Sequence, residues 1–109
     1  MTLVRGDTGA YKFQRLNAGG EPITSIPDEM FFTVKKSFLA NAFVFQKTLS
    51  DMTLGEDDFW HLTIEPSDTA MLDYGAYVYD IEVTTDEYVQ TIAKGKLEIE
   101  EESTWVSNK

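Results

Sequence analysis

The sequence predicts an all-β fold: an antiparallel sandwich of about seven strands with one short helical turn near residues 66–72. Three observations carry that expectation. Apolar and polar residues alternate with the two-residue period of a strand from end to end. Turn signals recur every 8–15 residues. No long segment has the 3.6-residue period of a helix. Short strands at this spacing, in about 100 residues, point to a sandwich rather than to βαβ units.

The elements follow in order. Residues 3–5 read as a short first strand, ended by the turn Gly6-Asp7-Thr8-Gly9. Residues 10–16 alternate, with Tyr11 and Phe13 on one face and Lys12 and Gln14 on the other. Residues 17–22 hold Gly19, Gly20 and Pro22, a strong turn signal because glycine reaches positive φ freely and proline ends pairing. Residues 23–28, which follow Pro22 and contain Pro27, read as an irregular link. Residues 30–36 form the next strand, with Met30, Phe32 and Val34 on one face and Phe31, Thr33 and Lys35 on the other. A turn at 37–42 leads into a strand at 43–49, with Phe43 and Phe45 set against Val44 and Gln46.

Residues 50–58, with Gly55 and several acids, read as an exposed loop. The strand at 59–65 directs Trp60, Leu62 and Ile64 to the core. Pro66 suits a first helical position, where its missing N–H costs nothing. Residues 76–84 are the clearest strand, with Tyr77, Tyr79, Ile81 and Val83 on one face. Thr85-Asp86-Glu87 is a hairpin turn, and a long strand fills 88–100. Leu97 and Ile99 share parity with Val89 but not with Ile92, which is consistent with a bulge near Lys94 and Gly95. The domain is expected to span 1–102, with 103–109 a flexible tail.

Composition bounds what such a domain does. The 109 residues suit one domain and include no cysteine, which fits a reducing compartment. The start of the chain lacks the basic and apolar regions of a signal peptide, and no apolar run approaches the ~20 residues that span a bilayer, so a soluble protein is expected. The formal net charge of −10 is uneven. Residues 1–55 carry six Lys or Arg against five Asp or Glu; residues 56–109 carry three against fourteen. So acidic a chain is repelled by phosphate backbones and anionic lipid, so neither nucleic acid nor membrane is an expected partner. The acidity reads as a solubility device, or else as a docking face for a basic partner or a cation.

The inventory of reactive groups is thin, and no catalytic, cofactor or metal site is expected. The single histidine, His61, falls on the solvent face of its strand, where a Ser-His-Asp arrangement lacks a pocket. Zinc normally needs Cys and His. Glu56-Asp57-Asp58 lacks the ligand ladder of a calcium loop and reads as a solvated loop. Gly19-Gly20 has no following Lys-Ser/Thr and no helix behind it. Arg5-Gly6-Asp7 matches an integrin-read tripeptide, and a tight turn is the simpler reading. Exposed aromatics are a better clue to binding. Phe31 lies opposite the core face, and Trp105 lies in the tail. Trp105 either folds back on the sandwich or anchors a neighbouring subunit; both readings stay open.

The run Leu72-Asp73-Tyr74-Gly75-Ala76-Tyr77-Val78-Tyr79-Asp80-Ile81 resembles the E–F corner of immunoglobulin-like domains. That resemblance makes Gly75, Tyr77 and Tyr79 a structural corner: the Tyr77 hydroxyl bonds back to the preceding turn, and Tyr79 takes the core position. It implies a cysteine-free, immunoglobulin-like antiparallel sandwich. A broader resemblance joins Arg5-Gly6-Asp7-Thr8, Gly20-Glu21-Pro22-Ile23, Phe32-Thr33-Val34-Lys35-Lys36-Ser37, Pro66-Ser67-Asp68-Thr69, the corner, and Gly95-Lys96-Leu97-Glu98-Ile99. That order is similar to small phage and prophage proteins of Gram-positive bacteria, and to the immunoglobulin-like N-terminal domain of phage baseplate upper proteins. The resemblance implies a structural tail component in the virion, assembled in the bacterial cytoplasm, whose partners are other tail proteins or further copies of itself. It implies no catalytic residue. An adhesion module for cell-surface carbohydrate is the alternative, and it requires an exposed Trp or Tyr lining a groove; a hydrolase is the third possibility and finds no support in the residues.

Overall fold

The structure is a computed structural model, and it describes residues 1–101. The expected tail at 103–109, with Trp105, lies outside the described residues. Among the described residues eight strands form two sheets. The larger sheet has the order β1-β8-β7-β3-β4 and the smaller has β2-β6-β5. The strands are β1 (Thr2–Val4), β2 (Gly9–Phe13), β3 (Glu29–Lys35), β4 (Phe45–Thr48), β5 (Met52–Leu54), β6 (Trp60–Ile64), β7 (Gly75–Thr85) and β8 (Tyr88–Glu100). A 3-10 turn at Leu49–Asp51 and one helical turn, α1 (Pro66–Thr69), complete the described elements. The arrangement is an all-β sandwich in which the chain crosses between the two sheets four times, at β1–β2, β2–β3, β4–β5 and β6–β7.

Alternation dictates which face is buried. Met30, Phe32 and Val34 of β3, Trp60, Leu62 and Ile64 of β6, and Ile81, Val83, Leu97 and Ile99 of β7 and β8 meet in one core. Strand-favouring side chains at every second position leave one face of each sheet for water. All adjacent strands are antiparallel except β1, which runs parallel to the end of β8, pairing Thr2 with Glu98 and Val4 with Glu100. A parallel pair between first and last strands brings the N-terminal residue against Lys96, whose carbonyl accepts from the Met1 ammonium.

Several boundaries differ from the sequence reading, each for a local reason. The expected loop at 50–58 contains β5, a three-residue edge strand that buries Met52 against Leu62. Phe43 is exposed and precedes β4, since the chain enters the sheet only at Phe45. The bulge falls at Ile92 and not at Lys94-Gly95: Ile81 pairs with Ala93 and Glu82 with Thr91. Ile92 and Ala93 both pack against the core, so the extra residue is absorbed where two small or apolar side chains can share the inner face. The β7–β8 hairpin closes through Asp86 (φ 49°) and Glu87 (φ 68°), a two-residue turn with both centres left-handed. Asp28 steadies it by accepting the Asp86 N–H at 2.9 Å.

The free edges of the two sheets are treated differently. β4 is four residues long and turns Lys47 inward, opposite Phe32, to an ion pair with Asp68 of α1 at 2.6 Å. A short edge with an inward charge resists pairing with another strand. β1 and β5 are three residues each. On β8, β1 covers only the far end, so among the described residues the outer edge has no strand partner over residues 88–95.

Candidate functional site

The corner between α1 and β7 is built from a strained glycine and a tethered tyrosine. Gly75 has φ 127°, a conformation that side chains rarely adopt, and it starts β7 opposite Ile99. Two residues on, Tyr77 is buried, and its hydroxyl donates to the Asp73 carbonyl at 2.8 Å. Burial and the nearby Asp73 carboxylate push the Tyr77 hydroxyl above the usual tyrosine range, and the hydrogen bond to the Asp73 carbonyl opposes them. Tyr79 is half-buried. Its ring lies 5.5 Å from Phe32 and 5.9 Å from Tyr11, so it bridges the two sheets.

A latch that the sequence did not reveal locks this corner to the first turn of the chain. The Arg5 guanidinium stacks 4.2 Å from the Tyr74 ring centroid and donates to the Tyr74 hydroxyl at 2.7 Å. It also donates to the Leu72 carbonyl at 3.3 Å, while the Gly6 N–H donates to the buried Thr69 hydroxyl at 2.9 Å. The Arg5-Gly6-Asp7 segment is thus a turn fastened to the sandwich, closed by Asp7 N–H to the Val4 carbonyl at 3.1 Å. Its only sequence signal is an arginine and an aromatic far apart in the chain.

A second cluster sits on the outer face of the smaller sheet. Register places Lys12, His61 and Thr53 side by side across β2, β6 and β5. His61 Nε2 lies 3.0 and 3.1 Å from the two Asp57 oxygens, and Lys12 Nζ lies 3.7 Å from Asp57. The bond from His61 and a second from the Phe59 N–H hold the Asp57 carboxyl below its usual range. An open hollow of about 360 Å³ borders Lys12 and His61. Both acid and imidazole are open to water, so their field is screened and nothing desolvates a reacting group there. Among the described residues no three His, Cys, Asp or Glu side chains come together as a metal would require.

A third feature is a lateral groove of about 390 Å³ where the two sheets part. Gln14, Arg15, Leu16 and Ile23 form one wall, and Gln90, Thr91 and Ile92 of the unpaired β8 edge form the other. Beside it, Tyr88 is 68% and Val89 is 58% exposed. At the opposite end of the larger sheet, the β3–β4 connection exposes Phe38, Leu39 and Phe43. Phe31 is half-buried on the outer face of that sheet, between Thr48 and Glu82. Trp60, by contrast, is 3% exposed in the core, and its indole N–H has no partner among the described residues.

No family model matches the chain, and no curated protein matches it. Among the described residues no helix is long and apolar enough to cross a membrane.

Proposed function

We propose that this chain is a non-enzymatic structural or assembly module that works through protein–protein contacts, as a baseplate or neck component of a phage or prophage tail. The observation that carries the reading is the outer edge of β8: a long strand unpaired over residues 88–95 among the described residues, with Tyr88 and Val89 exposed at its start. Soluble domains ordinarily blunt such an edge or shorten it, as β4 does here, and they keep large apolar side chains from clustering beside it. The exposed Phe38, Leu39 and Phe43 offer a second contact surface at the other end of the sheet. The placement in a virion rests on the motif resemblance alone.

Trp60 is buried in the core and so offers the carbohydrate-binding alternative no binding surface. The test is co-expression of the full chain with the products of the genes that flank it. A stoichiometric complex with a tail protein supports the assembly reading. Failure to co-elute with any of them, together with specific retention on a glycan array, replaces it with the adhesion reading.

A further inference from the structure

We propose that a second copy of this chain pairs antiparallel with β8 along residues 88–95, joining the two larger sheets edge to edge about a twofold axis. The inference rests on the assembly reading above and names the partner at its exposed edge.

Main-chain geometry supplies the first argument. Lys96 O, Glu98 N and Glu100 O face β1, since they bond to Met1 N, Met1 O and Arg5 N. Ladder groups alternate sides residue by residue. Lys94 therefore faces the same lane, and beyond the bulge at Ile92 so do Thr91 and Val89. The hairpin turn gives the same result from the other end. Its two-residue loop makes Thr85 and Tyr88 a hydrogen-bonded pair, so Val89 turns its N–H and C=O outward. The lane that β1 begins is thus continued by polar main-chain groups of β8 with no strand beside them among the described residues.

Charge supplies the second argument. Edge lysines usually keep a strand from pairing with a like strand. Lys94 and Lys96 stand at one end of this lane, and the acidic turn Asp86-Glu87 stands at the other. Only uncharged residues, Tyr88 to Ala93, lie between them. A strand with acid at one end and base at the other is complementary to itself when reversed. A twofold axis near Thr91 and Ile92 lays the acidic turn of each copy against the lysines of the other, and covers Tyr88 and Val89 twice. The formal charge of −10 opposes approach at a distance. It is screened beyond about 8 Å at physiological ionic strength, whereas strand pairing acts at contact.

Sedimentation equilibrium of the full chain, from micromolar to millimolar, tests the proposal. A reversible monomer–dimer equilibrium is expected. Thr91→Pro removes an N–H from the lane and leaves the β7 ladder intact, so it weakens the dimer about tenfold or more. The double variant Lys94→Glu, Lys96→Glu does the same, and adding Glu87→Lys restores part of the loss. Circular dichroism melts show whether each variant folds. A strict monomer at millimolar concentration, or a dimer indifferent to both variants, overturns the pairing. Neither result touches the assembly reading, which stands or falls on co-elution with tail proteins.

Discussion

The ring of Tyr79 lies over Gly95, its cross-strand partner, so closely that a Cβ on residue 95 would sit 2.7 Å from the ring. The glycine is therefore a seat for the aromatic that links the sheets. Gly95→Ala is expected to displace Tyr79 and destabilise the domain by about 1–3 kcal/mol, the usual range for an overpacked site. Urea denaturation measures it as a lowered midpoint with an unchanged slope. Pairing the change with Tyr79→Leu recovers part of the loss.

Tyr77→Phe removes the hydroxyl that bonds the Asp73 carbonyl. Asp73 is exposed, so water replaces the donor, and the cost stays near the value of one ordinary hydrogen bond, about 0.5–1.5 kcal/mol. A thermal melt of the variant checks it. A loss several times larger would mean that the hydroxyl organises the whole corner.

Alkaline pH should unfold the protein through Tyr11. Burial, then its contact with the Tyr79 hydroxyl, pushes the Tyr11 pKa from 10.0 up to about 12. The folded state thus holds a proton that the unfolded state releases first. That contribution is complete below pH 10 and is lost as pH rises toward about 12. Stability followed against pH should fall through this window, and Tyr11→Phe should flatten the fall.

Lys47→Ala leaves the Asp68 carboxylate with the Glu65 N–H but without its ion-pair partner, where both side chains are mostly buried, at 12% and 20% exposure. The expected cost is about 1–3 kcal/mol, below that of a fully buried pair because some water reaches both groups. The variant should also expose β4 as a bare edge, so light scattering on prolonged incubation is expected to rise. Lys47→Met keeps the packing of the stem and separates the two effects.

The sequence made the core strands legible because Trp60-His61-Leu62-Thr63-Ile64 alternates without interruption and Met30, Phe32 and Val34 recur at every second position of β3, although Phe31 is apolar and Thr33 is buried as well. It also made His61 legible as an exposed residue, by the same parity. β5 was hidden because its three residues lie among Ser50, Asp51, Gly55 and the acids that follow, and only Met52 and Leu54 mark it. The parity of Leu97 against Ile92 signalled a bulge, but not its place. Gly95 reads in the sequence as part of a bulge, whereas its space is taken by the ring of Tyr79. The Arg5–Tyr74 latch spans 69 positions and leaves no local pattern. The open edge of β8 follows from the register of β1, which pairs only with residues 98–100, a tertiary fact that no window of residues contains.

The parallel clasp between β1 and β8 carries a kinetic consequence. Its bonds join residues about 95 positions apart, from Met1 to Lys96. Closing so large a loop is entropically expensive, so the β7–β8 hairpin and its pairing with β3 can form well before β1 docks. The last contact made is, in turn, the first released in local opening. Hydrogen exchange at the Glu98 amide, which donates to the Met1 carbonyl, should be faster than at Phe32 in the centre of β3. Each release frees one more stretch of the edge strand, so the length of β8 available to a partner is set by how often the chain's first residues let go.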